Sequence, residues 1–177
     1  MWLVGVIALA AFSVLAFRQV ARNARKRQQP STKKASPFLP RAAIRYAGAH
    51  AGESVVDFGK GNRRQFRAAV VRALEQGWAV TRLRDLFREE FKFSPDRALN
   101  VAQRELCIAR SRGNLADAAE RGGKQKRWSV AGDNQSCASC EANQSIGWID
   151  LAAKFPGGED CPPAISCDWC RCDLDFR

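Results

Sequence analysis

Cys137-Ala138-Ser139-Cys140 and Cys167-Asp168-Trp169-Cys170-Arg171-Cys172 decide how this chain is read. Each holds a C-x-x-C, and 26 residues separate the two pairs. Two residues between thiols let one tight turn aim both sulfurs at the same ion, at about 2.3 Å, and two such turns complete a tetrahedron. Four protein sulfurs leave no open coordination position, so such an ion holds a fold together and performs no chemistry. Cys137, Cys140, Cys167 and Cys170 are therefore the expected ligands of one structural zinc ion (Zn2+). Unpaired buried thiols or disulfides are the alternatives. Seven cysteines are an odd number for a complete disulfide framework, and a C-x-x-C at both ends of one segment favours metal. A thioredoxin-like redox pair would need βαβ surroundings that are absent here. Cys161 and Cys172 complicate the ligand set, since Cys172 could displace Cys170. Cys107 falls on an expected helix and reads as core.

Around these pairs the pattern is that of short strands. Lys126 to Ala131 alternates, and Ile146 to Leu151 is a second candidate. Their indoles, Trp128 and Trp148, flank the first C-x-x-C and are expected to meet in one small core around the metal. Upstream the period changes to helical. Ser94-Pro95-Asp96 is a helix start: serine caps, proline suits the first position, and aspartate faces the positive helix end. That helix should carry Leu99, Ala102, Leu106 and Ala109 inward, with Gly122-Gly123 as its stop. Phe66, Val70, Val71 and Leu74 mark a helix from Arg63 to Gly77, and Leu83, Leu86, Phe87 and Phe91 mark another from Thr81 to Phe91. Arg41 to Asn62 has no decisive period. Glu105 has apolar neighbours three and four residues away and reads as a solvated charge.

The expected class is α+β: a small arginine-rich helical bundle over residues 41–123, then a zinc-stabilised β/loop lobe over 124–177. Residues 1–132 carry 26 Lys and Arg against 10 Asp and Glu, a net of +16, whereas residues 133–177 carry a net of −5. A basic surface suits phosphate backbones or anionic lipid; an acidic lobe suits neither. Met1 to Phe17 is an uncharged apolar run, near the minimum for a bilayer span, followed at once by Arg18, Arg22, Arg25, Lys26 and Arg27. With its charge behind it, the run reads as an anchor whose amino terminus is outside and whose remainder is cytoplasmic. The alternatives are a mis-assigned start or a helix buried against a partner. Residues 18–40 form a basic, Pro- and Ser-containing linker.

The order of features from Phe93 to Cys172 resembles the Mu F-like phage head-morphogenesis family, the minor head proteins. Ser94-Pro95-Asp96-Arg97-Ala98 corresponds to that family's Ser-Pro-x-Arg-Ala, and Val101-Ala102-Gln103-Arg104-Glu105 to its Ile-Ala-Arg-Thr-Glu-like motif. Lys126-Arg127-Trp128, Asp133, Cys137 and Cys140, Pro162-Pro163 and Cys170-Arg171-Cys172 follow in family order. Two departures stand out. Gln103 and Arg104 replace the family's arginine and threonine, and Cys167 stands where a histidine would be, since the only histidine is His50. Cysteine for histidine is a conservative exchange at zinc. The resemblance implies a few copies per particle near the portal, contacts with portal and head proteins, and a role in head assembly or DNA delivery. It implies a place in the virion or the bacterial host cytoplasm, with an inner-membrane tether if residues 1–17 span a bilayer. Some relatives carry a toxin or nuclease domain behind the Cys-Arg-Cys; here five residues follow Cys172, and none is expected.

An enzyme is the weakest reading. The chain has no phosphate-binding glycine loop with its lysine, no histidine beside a nucleophile and no motif-placed carboxylate pair. The stronger rival is a membrane-tethered zinc module that contacts nucleic acid or a protein. Non-specific binding of double-stranded DNA through residues 18–132 fits either reading.

Overall fold

The computed structural model describes residues 41–55, 60–132, 136–164, 167 and 170–177. Helix α1 spans Arg41–His50, α2 Lys60–Glu75, α3 Val80–Phe91 and α4 Pro95–Glu120. Strand β1 (Gln125–Ser129), helix α5 (Ala138–Ser145), β2 (Ile149–Asp150) and β3 (Asp173–Phe176) follow. The architecture is α+β, as expected. The apolar run 1–17 and the linker 18–40 lie outside the described residues, as does Asp133. Among the described residues, no helix is long and apolar enough to cross a membrane.

Three helices form where the apolar period places them. Ser94 caps α4, its Oγ accepting from the backbone N–H of Arg97 at 3.4 Å, and Gly122, at φ +78°, turns the chain out of the helix. Leu99 is half-buried; Ala98 takes the inward position beside Ala102, Leu106 and Ala109. The bundle core centres on Phe66 stacked on Phe87 at 4.5 Å, with Phe91 and Phe93 edge-on to Phe87. Phe66 and Phe87 are both fully buried, each contributing about 1.5–3 kcal/mol.

Helix α1 has no counterpart in the expectations. Its inward residues are Ala42, Ala43 and Ala47, too small to give a strong apolar stripe. Small size is what the site requires. A Cβ added to Gly113 of α4 would lie 2.5 Å from the Cα and N of Ala43, so α1 and α4 touch backbone to backbone.

Glu105 corrects the expectation of a solvated charge. It is 4% exposed, and its carboxylate accepts from the Gly52 backbone N–H at 3.0 Å and the Ser54 hydroxyl at 3.1 Å. Those donors sit in the turn after α1, beyond the reach of any argument from neighbours along the helix. Burial pushes its pKa up, against the opposing pull of the two hydrogen bonds.

Strands β1, β2 and β3 make an antiparallel sheet in the order β2-β1-β3. Trp128 pairs with Leu174, and Lys126 with both Ile149 and Phe176. The expected strand at Ile146 to Leu151 is reduced to two residues. β3, unforeseen, supplies the longer pairing. The two-tryptophan core is also corrected. Trp128 is fully buried, edge-on to Phe155 at 4.9 Å. Trp148 is only half-buried and lies between the guanidinium groups of Arg127 and Arg177, at 4.9 and 4.4 Å. A surface held by cations is the cheaper place for an indole just before so short a strand.

Replacing Gly113 by Ala should destabilise the chain by about 1–3 kcal/mol, because backbone is the obstacle and cannot rotate aside. An unchanged urea midpoint would contradict the close approach. For Glu105→Gln the expected signature is in pH. A raised folded-state pKa contributes stability below the ordinary glutamate range and loses it as pH rises through the raised value. Wild type should therefore lose stability relative to Glu105→Gln between acid and neutral pH. Urea titrations at several pH values with a constant difference between the two proteins would refute this.

Candidate metal centre

Six of the seven cysteines converge where α4, α5 and the chain before β3 meet. Cys137 is the residue at which α5 begins; burial raises its pKa, but its neighbours, the Cys140 and Ser139 backbone N–H groups among them, bring it below the ordinary value. A helix start is where a thiolate is stabilised. Cys140, one turn further in, is fully buried. This explains the spacing: a C-x-x-C wrapped on a helix start points both sulfurs to one side.

Cys137, Cys140 and Cys167 place their sulfurs within 4.8 Å of one another, and so do Cys140, Cys170 and Cys172. The expected set of Cys137, Cys140, Cys167 and Cys170 is thus divided over two triads that share Cys140. Cys172 takes part, and Cys161 stands apart, beside Arg112, Asp160 and Lys126. Cys107 is more than filler. Its thiol contacts that of Cys170 and lies 3.9 Å from the carbonyl oxygen of Cys172. None of the seven forms a disulfide.

The cluster is able to bind a metal ion. Cys140 and Cys170 have their sulfurs 3.8 Å apart. Bonds of about 2.3 Å to a tetrahedral ion put sulfurs about 3.8 Å apart. Crowding of this kind shifts the thiols against each other. Contact with Cys170 and Cys172 pushes Cys140 up, contact with Cys107 pushes Cys170 up, and Cys172 is lowered to about 3 as Cys140 and Cys170 donate to it.

Helix α4 holds the cluster from one side. Arg104 Nη1 donates to the Cys167 carbonyl at 3.1 Å, and Arg112 reaches Asp160 at 3.0 Å. Further along, Asn114 donates to Asp173 at 3.3 Å. From the other side, β1 brings the buried Trp128, and the following chain brings the Ala131 backbone N–H to the sulfur of Cys172. Arg104 and Cys107 were not singled out as parts of the site from sequence. A signal was present: they lie on the face of the helix opposite Ala98, Ala102 and Ala109. Comparison with known proteins finds no matching family model, no matching curated sequence and no matching solved structure.

Arg104→Ala should weaken metal retention about tenfold, as loss of an outer-shell partner does, because the Cys167 turn loses its anchor. Competition with a chromophoric chelator measures this. Identical retention in the two proteins would mean that Arg104 does not position the turn.

Proposed function

We propose that the chain is a non-catalytic phage minor head protein, working near the portal in head assembly or DNA delivery, with zinc as its structural ion. The observation that carries this reading is convergence. The motifs that resemble the Mu F-like family are spread over nearly eighty residues, yet Trp128, Cys137, Cys140, Cys170 and Cys172 among them meet in one cluster. The stretch Val101 to Glu105 lies on α4, which reaches the Cys167 turn through Arg104, a residue that departs from the family pattern. Lys126-Arg127-Trp128 supplies the buried Trp128 beside Cys172, and Pro162, also buried, belongs to the loop between the two cysteine segments. A sulfur-only donor set suits zinc better than calcium or magnesium, which take oxygen ligands. Zinc held by Cys137, Cys140, Cys167 and Cys170 would supply folding free energy that this lobe, with few large apolar residues, otherwise lacks.

The basic helices suit an acidic partner or DNA. Arg64, Arg72, Arg88 and Arg110 are exposed, and Arg63, Arg64 and Arg67 line an open groove beside Gly48. Regularly exposed arginines of this kind meet phosphates through charge, without reading sequence.

The functional reading predicts that particles from an induced lysogen contain the chain at a few copies per head. Its absence from purified heads, with normal heads forming after deletion of its gene, would sink the proposal. For zinc, metal analysis under reducing conditions should find the ion, and Cys137→Ser should open residues 124–177 to protease. Binding to duplex DNA should weaken steeply with salt and ignore sequence. A salt-independent affinity would rule out phosphate contacts.

A further inference from the structure

The cluster has more sulfurs than one ion can hold. A tetrahedral site takes four, and six are gathered here. Their arrangement is two triads with a common member, Cys140, and Cys107 reaching the second triad from α4 through Cys170. Cys140 and Cys170 stand at 3.8 Å, the length of a tetrahedron's edge. We propose that the cluster holds two zinc ions, one at each triad, bridged by Cys140. Cys137 and Cys167 bind the first ion with it, and Cys170 and Cys172 the second, which Cys107 approaches from α4. The inference deepens the zinc reading above and rests on it.

Charge and hydrogen bonding favour the second ion. Six thiolates around two divalent ions carry the same net −2 as four thiolates around one. Each divalent ion is offset by the thiolates that bind it, so the second adds no net charge. Cys172 is 7% exposed, and the backbone N–H of Ala131 is directed at its sulfur. A donor of this kind suits a metal-bound, anionic sulfur.

The test is the zinc content of the full chain, purified with zinc under reducing conditions and weighed intact by native mass spectrometry. Two ions per chain are expected, and Cys107→Ser and Cys172→Ser should each lower the content towards one. Alkylation of the native holoprotein should spare the six clustered cysteines. One ion per chain, with Cys107 and Cys172 open to alkylation, would overturn the two-ion proposal and leave the single zinc intact. No zinc at all would overturn both. Should the serine variants fail to fold, cadmium NMR of the wild-type chain decides. Two resonances coupled through a shared sulfur support the bridge, and a single resonance excludes it.

Discussion

Helix α4 is buried on two opposite faces, and both cores depend on it. At about 100° per residue, Ala98, Ala102, Leu106, Ala109 and Gly113 fall on one side, and Arg104, Cys107, Ser111, Leu115 and Ala118 fall half a turn away. The first row packs into the aromatic core of α2 and α3 and lets α1 come to backbone contact at Gly113. The second row meets the cysteine cluster and the sheet. A helix in this position cannot be strongly amphipathic. Its side chains must be small on the bundle side, where a backbone presses on it, and polar or sulfur-bearing on the other, where carbonyls and thiols need partners.

The cluster in turn explains why the lobe has so little else. Apart from sulfur, its buried core contains Trp128, Phe155, Ala164 and Leu174. A sheet of three short strands with that amount of apolar area is marginal by itself. Contact with α4 adds area, and a metal adds a crosslink between α5, the Cys167 turn and the start of β3. Lys126 shows how tightly the remainder is filled. It is fully buried beside Trp128, its ammonium 5.6 Å from the Phe155 ring, and burial lowers its pKa.

Legibility in the sequence followed the length of each signal. The helices with large apolar residues at regular spacing, and the α4 cap at Ser94, were readable because each is a local property. Helix α1 was not, since alanines packed against a glycine give no contrast to detect. Glu105 misled for a related reason: its partners, Gly52 and Ser54, are distant in sequence and one of them is a backbone group. In the site, the two C-x-x-C pairs were plain, but the division of their sulfurs into triads was not. Spacing says which sulfurs can share a turn. Only the fold says that Cys107 on α4 and Cys172 before β3 come to the same place.

Charge follows the same two-sided logic. Two of the lobe's carboxylates pair with the basic part of the chain: Asp160 meets Arg112 at 3.0 Å and Asp175 meets Arg127 at 2.7 Å. Pairs as exposed as these contribute little to stability, typically about 0–1 kcal/mol. Their effect is on register. Arg112 fixes the loop that carries Cys161 against α4, and Arg127 fixes β3 against β1, and with it the Cys170 to Cys172 turn. Pairing in this way neutralises the acidic lobe where it meets the helices, while the arginines on the outer faces of α2, α3 and α4 keep their charge for solvent or a partner. A chain whose basic and acidic parts were free to meet elsewhere would hide that surface. Held as they are, the acids serve the metal site, and the basic face stays open.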